Sequence, residues 1–317
     1  MRILHNIHID FLTQRKRFYI LSIAVALIGL IVFLINGIPL GIDFKGGTEI
    51  LVRFNQKVEI QNVREAMNNA GLPGSEIKTM GDERDILIKT GVEGEGSAIS
   101  DKIREGLKNY FTNNNFEVLR IDKVGPKIGK ELSISAIWAT IFSLIGILIY
   151  LGFRFEFVYA FSSVVALFHD VIITIGLVAV ANSLFPALNV EISQNMVAAI
   201  LTLIGFSTND TVVVFDRIRE NIKLYKNEDI LKVMNKSMNA TLSRTIITNG
   251  IVFITVFILL VFGGEVNRSF AFTFLIGSVV GTYSSIYIAS ALVVDIKYYQ
   301  IKRKRRVKTS TVAVSKA

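Results

Sequence analysis

The chain has 317 residues, of which 51% are hydrophobic and only 19% charged, and its net charge is +9. That charged share is below the roughly 25% of soluble globular proteins, and the apolar excess collects in runs of about 18–25 residues, long enough to cross a ~30 Å hydrocarbon core. The absence of cysteine excludes disulfides and thiolate metal sites. His5, His8 and His169 are too scattered for a typical zinc site.

In chain order, the apolar runs predict six spans, at 18–35, 133–151, 157–181, 193–215, 245–262 and 269–294. Arg15, Lys16 and Arg17 precede the first as they would a signal peptide. No small-x-small cleavage site closes it, since the exit reads Asn36-Gly37-Ile38-Pro39, so an uncleaved anchor is expected.

Lysine and arginine set the expected orientation. They crowd the N-terminal arm (1–17), the segment between spans four and five (Arg217, Arg219, Lys223, Lys226, Lys232, Lys236, Arg244) and the tail (296–317), which contains the run Lys302 to Arg306. The short loops on the other side hold only Arg268. Both termini are therefore expected in the cytoplasm of a multi-pass membrane protein, with the basic tail touching anionic membrane lipid. No nucleic acid partner is expected from charge distributed in this way.

Between the first and second spans, residues 36–130 carry fourteen basic and fourteen acidic residues, a balance suited to the extracytoplasmic side. Thr48 to Phe54 alternates as a strand, and 58–70 places Val63, Ala66, Met67 and Ala70 on one helical face ahead of Gly71. Short strands follow at 76–80 and 85–90 around Gly81-Asp82, then a helix over 97–111 and a strand over 116–124. The order βαββαβ predicts an α+β ferredoxin-like domain inserted in an α-helical polytopic bundle of six transmembrane helices, five of them in 131–295. Its carboxylates are scattered as on a solvated surface, which suits a binding or mechanical module and not an enzyme. Gly41-Ile42-Asp43-Phe44-Lys45-Gly46-Gly47-Thr48 lacks the Gly-Lys-Ser/Thr ending of a phosphate loop and reads as a tight turn into the first strand.

Polar groups inside the spans mark the candidate site, because an intramembrane carboxylate costs roughly 2.5–3.5 kcal/mol on insertion scales. Span three carries His169-Asp170, span four Asn209-Asp210, and span five opens with Arg244-Thr245 and then Thr248-Asn249. In span four, Asn195, Thr202 and Asn209 recur every seven residues with Ala198 and Gly205 on the same face, a stripe expected to face protein or water. Asp210 lies about 100° around the helix, at the edge of that stripe. In span six, Gly277 and Gly281 form a small-xxx-small pair suited to helix packing, as does Gly205 in span four.

These residues resemble a known family. The stretch from Gly205 to Asn221, GFSTNDTVVVFDRIREN, looks like the fourth-span motif of the SecF half of the SecD/SecF family of bacterial protein-export membrane proteins. Gly41 to Thr48 resembles the motif after the family's first span, and His169-Asp170 and Thr241 to Thr245 fall where its third- and fifth-span motifs lie. Thr208 stands where the family more often has an apolar residue. The resemblance implies a member of the resistance-nodulation-division superfamily in the bacterial inner membrane. It would act with a separate SecD and the SecYEG translocon, with YajC and YidC as further candidate partners, on exported unfolded polypeptides.

It also implies that Asp210 and Arg244 serve proton conduction; from the residues themselves, Asn209, Thr202 and Asn195 are expected to line the path, with His169, Asp170 and Thr248 as further members. The coupling ion is expected to be H⁺ or Na⁺, with no other cofactor. The alternative within the superfamily is an ion-driven exporter of lipid or small molecules. An intramembrane aspartyl protease would require Gly-x-Gly-Asp, whereas Asp210 follows Thr208-Asn209.

Overall fold

The computed structural model describes residues 9–92, 98–188 and 190–300; Arg2, His5, His8, Ser97 and the basic run 302–306 lie outside the described residues. Among the described residues, six helices are long and apolar enough to span a membrane. They are α1 (Arg15–Asn36), α5 (Pro126–Arg154), α6 (Phe157–Leu184), α7 (Gln194–Leu224), α8 (Ile230–Phe262) and a last one over Asn267–Gln300. The last begins as α9 (Gly264–Ser284) and passes through a π-helical turn at Ser285–Ala289. α6, α7 and the last helix form the inner part of the bundle, while α1, α5 and α8 leave most of their apolar surface uncovered by this chain.

The segment between spans four and five differs from its sequence reading. Apart from Lys226, its basic residues sit on helical extensions of α7 and α8, and only 225–229 separates the two. The helices outlast the apolar runs because Asn221 and Ser237 bond across them at 2.8 Å and Lys236 lies over the Tyr225 ring. At this end Asn235 and Asn239 also hold the backbone at Ile9, Phe11 and Leu12, and Arg15 pairs with Asp295 at 2.9 Å. The described N-terminal and C-terminal segments therefore meet at the bundle end far from the α+β domain.

That domain contains a short helix α2 (Ile42–Lys45), strands β1 (Gly47–Phe54), β2 (Glu76–Met80), β3 (Asp82–Thr90) and β4 (Phe116–Val124), and helices α3 (Ile60–Asn69) and α4 (Ala98–Tyr110). The sheet is antiparallel throughout in the order β2-β3-β1-β4, the split βαβ arrangement of ferredoxin-like folds. Alternation assigns its two faces. Ile50, Val52, Phe54, Ile86 and Ile88 pack against Val63, Met67, Ile103 and Leu107 of α3 and α4. The opposite face carries Glu49, Leu87, Lys89, Arg120 and Asp122 and overhangs the bundle, enclosing a cleft of about 370 Å³ with Asp43, Glu191 and Asn195.

The turn expected at 41–48 contains a helical turn, α2, between glycines. Gly46 and Gly47 have φ of 78° and 138°, in the region that favours glycine, so the chain can reverse into β1. Gly129 of α5 lets α2 lie on it, since a Cβ there would fall 3.0 Å from the Phe44 carbonyl oxygen. On the other side, the backbone at Pro39 and Gly41 pairs with Ile192, and the Asp43 carboxylate accepts from the Gln194 amide at 2.9 Å. The domain is thus tied directly to the first residue of α7.

Candidate functional site

α7 divides its residues by exposure. Leu203, Ile204, Ser207, Asp210 and Thr211 are buried, whereas Asn195, Ala198, Thr202, Gly205 and Asn209 are exposed. The polar stripe therefore lies on the outside of this chain, where an apolar helix would ordinarily present leucine. Thr202 turns its hydroxyl back to the Ala198 carbonyl at 2.7 Å. Gly205 needs correction as a packing glycine within this chain, because a side chain there would meet nothing within 4 Å. Gly277 and Gly281 stand at a real helix contact. A Cβ at Gly277 would fall 2.5 Å from Leu203, and one at Gly281 3.0 Å from Ser207.

Asp210 points away from the stripe and is only 4% exposed. Its Oδ2 accepts from Asn249 Nδ2 at 2.5 Å, and the same nitrogen donates to Thr282 Oγ1 at 2.7 Å. Arg244 is exposed and, among the described residues, has no ion-pair partner, although its charge acts on Asp210 from a distance. The direct contact to Asp210 therefore belongs to an amide and not to a guanidinium. Arg244 stands on the open face of α8, fourteen residues after the helix begins. Thr248 is exposed as well.

Asp170 is the more enclosed carboxylate, at 1% exposure. Ser207 of α7 and Ser284 of α9 donate to its Oδ2 at 2.6 and 2.8 Å, and His169 Nδ1 lies 2.9 Å from Oδ1. Adjacent residues on a helix ordinarily diverge, yet here the His169 ring folds back onto its neighbour. His169 Nε2 is 3.0 Å from the Tyr283 hydroxyl, which is 3.1 Å from Ser22 Oγ on α1. With the proton on Nδ1, the imidazole donates to Asp170 and accepts from Tyr283, and every contact in the chain has a donor and an acceptor.

The structure thus brings His169 and Asp170 into one network and Asp210 into another, with no hydrogen bond between the two carboxylates among the described residues. Asn195, Thr202, Asn209, Arg244 and Thr248 stay outside both, on exposed positions. Sequence reasoning missed Ser22, Ser207, Thr282 and Tyr283. Ser207 was reachable by helical spacing, at three residues from Asp210, whereas Thr282 adjoins Gly281 and faces another way. Ser22 carries no such signal, since a lone serine in an apolar helix usually bonds its own backbone.

Residues 102–299 match the family described as "Protein export membrane protein SecD/SecF, C-terminal", and residues 31–58 match the "SecD/SecF GG Motif". The chain belongs to the SecD/SecF family. Full-length relatives are the protein translocase subunit SecF of Rhodothermus marinus, 41% identical over 96% of this chain and 98% of that one, and that of Calditerrivibrio nitroreducens, 44% identical over 92% and 94%. The crystal structure of SecDF, a translocon-associated membrane protein from Thermus thermophilus, superposes with a TM-score of 0.80 at 34% identity. The match covers 92% of this chain and 39% of that one. Within the SecD/SecF family, the match over 102–299 contains Asp170, Asp210 and their partners other than Ser22, and the match over 31–58 contains α2 and its glycines. The chain is therefore a multi-pass membrane component of protein translocase.

Proposed function

We propose that the chain couples an ion gradient, H⁺ or Na⁺, to the late stage of protein export across the bacterial inner membrane. The observation that carries this reading is Asp210, a carboxylate enclosed in an apolar bundle with one amide donor and a cation nearby but not in contact. Such a group can change charge without breaking a salt bridge, and opposite charge nearby favours its ionised form. One charge crossing the field gains about 2.3 kcal/mol per 100 mV, enough to shift a two-state equilibrium more than tenfold.

The exposed stripe supports a partner. Asn195, Thr202, Asn209, Arg244 and Thr248 are polar positions in helices otherwise clothed in apolar residues, and polar groups in a bilayer face protein or water. We assign SecD as the cover for this face, so that the ion path runs along α7 between the two proteins. SecYEG, YajC and YidC are further partners on this reading, and unfolded polypeptide is the client. Both termini are cytoplasmic, and the domain lies outside. The cleft beside Asn195, between domain and bundle, would open the path to the outside. Reorganisation of α7 would reach the domain through Gln194 and Asp43.

Asp210→Asn should abolish ion-dependent export while leaving assembly with SecD intact. Export into inverted membrane vesicles, with the proton and sodium gradients collapsed separately, identifies the ion. Normal export by the variant would end this reading.

A further inference from the structure

We infer that Asn249 reads the charge state of Asp210 and transmits it to the last helix at Thr282. The inference rests on Asp210 as the ion-binding group and adds a positioning residue to that reading. Asn249 Nδ2 is shared between Asp210 Oδ2 at 2.5 Å and Thr282 Oγ1 at 2.7 Å. Asn249 Oδ1 is buried and has no hydrogen-bond partner. Buried acceptors are nearly always satisfied, so an orphan beside a carboxylate calls for an explanation. An amide offers a donor on one side and an acceptor on the other, and a half-turn about its last torsion exchanges them.

Ionised Asp210 accepts hydrogen bonds only, and the donor end of Asn249 meets it. Protonated Asp210 gains an O–H donor, for which the acceptor end is the match. After the half-turn, Oδ1 stands where Nδ2 stood and accepts from Asp210. The same oxygen then faces the Thr282 hydroxyl, which at present donates to the Ser278 carbonyl at 2.6 Å. That hydroxyl turns to Oδ1, and the Ser278 carbonyl loses its extra bond. The only proton gained is the one on Asp210; none passes through the amide.

Thr282 is well placed to receive this signal. It is followed by Tyr283 and Ser284, which contact His169 and Asp170. The π-helical turn Ser285–Ala289 comes next, and Ser290 bonds back to the Ser285 carbonyl at 2.8 Å. π turns are frequent at functional sites and are places where a helix bends. The charges facing Asp210 are few. α8 contributes Arg244 and α9 contributes Thr282 without a charge, while His169 and Asp170 of α6 are joined to α7 separately, through Ser207.

The absence of cysteine makes a clean test available. A spin label on Val279→Cys, an exposed position beside Ser278, reports on α9 in vesicles holding the chain with its co-purified partners. Carbodiimide labelling of Asp210, followed by mass spectrometry, reports its protonation independently. The label should change with pH in step with Asp210 labelling, and Asp210→Asn should hold it in the low-pH form. Asn249→Leu should reduce the pH-dependent change to roughly a tenth of wild type, while Asp210 labelling still depends on pH. Thr282→Val, nearly isosteric, should do the same and serves if the first variant does not assemble. A spectral response that survives either variant overturns the inference. A label insensitive to pH while Asp210 titrates also overturns it and leaves the ion-binding reading standing. Asp210 labelling that is independent of pH in the wild type overturns both.

Discussion

Lys89 of the sheet and Glu191 of the α6–α7 connection meet at 2.5 Å, and Glu49 lies 3.1 Å from the same ammonium. Arg120 also pairs with Glu49. The side chains of Lys89, Glu49 and Glu191 are each 12% exposed or less, so this network is largely shielded between domain and bundle. Together with Asp43 on Gln194, it holds the domain over the outer end of the helix that carries Asp210.

Lys89→Met should loosen that docking, because it removes the cation between Glu49 and Glu191 and leaves Glu49 to Arg120. The cost is about 3 kcal/mol, as for breaking other buried pairs. Hydrogen exchange in the 38–48 segment should rise well above wild type. Burial by itself would push the Lys89 ammonium down, but the hydrogen bond and charge of Glu191, followed by Glu49, outweigh it and leave it above the ordinary lysine value. A raised lysine pKa gives stability that is fully present at neutral pH and is lost as pH rises through the folded-state value. Protection of this segment, corrected for the base-catalysed intrinsic exchange rate, should therefore persist through mildly alkaline pH and fall only above 10.5, the ordinary value.

Asp43→Ala should weaken the start of α7. The carboxylate caps an amide at the positive end of that helix, and such caps contribute about 0.5–2 kcal/mol. Asp43→Asn, which keeps an acceptor but not the charge, should lose less. Thermal unfolding of the two variants in detergent separates the cases; equal losses would show that the charge is the whole effect.

Substitutions at the glycine contacts should rank by what a new methyl meets. At Gly29 it would fall 2.6 Å from the Gly176 Cα, which is backbone and cannot yield, so Gly29→Ala should force α1 off α6 at about 1–3 kcal/mol. At Gly277 it would meet the end of the Leu203 side chain, which can rotate away, so Gly277→Ala should cost less. Gly281→Ala presses on Ser207 and should also displace its bond to Asp170. Melting temperatures in one detergent test the order.

Asp170→Leu should be more damaging than Asp170→Asn. Leucine removes the carboxylate acceptor of Ser207, Ser284 and His169, and Ser284 falls back on the Gly281 carbonyl at 3.3 Å; each buried group left unpaired costs about 1–3 kcal/mol. Asparagine retains one oxygen. Tyr283→Phe should be milder, since it removes one hydroxyl and leaves Asp170 with Ser207, Ser284 and His169. A thermal unfolding series checks this, and a leucine variant as stable as the asparagine variant would assign Asp170 no structural part.

Much of the architecture was legible from one-dimensional pattern. Apolar runs located six spans because a hydrocarbon core admits little else, and alternation located β1 and β4 because a strand with one buried face must alternate. The helical extensions around 216–244 were not legible, because their residues are polar and their helicity depends on contacts such as Asn221 with Ser237. α2 was hidden for a similar reason, since four residues between glycines have no period to read.

The candidate site divides in the same way. By itself the sequence determined that Asp170 and Asp210 lie inside spans and that Asn195, Thr202 and Asn209 share a helical face, since position along a helix sets both. Only the tertiary structure decided that this face is open, that Asp210 bonds Asn249 and not Arg244, and that Ser207 and Ser284 converge on Asp170. Those pairings join residues 37 to 114 positions apart. They depend on how glycines at 277 and 281 let two helices approach, a distance that no local pattern encodes.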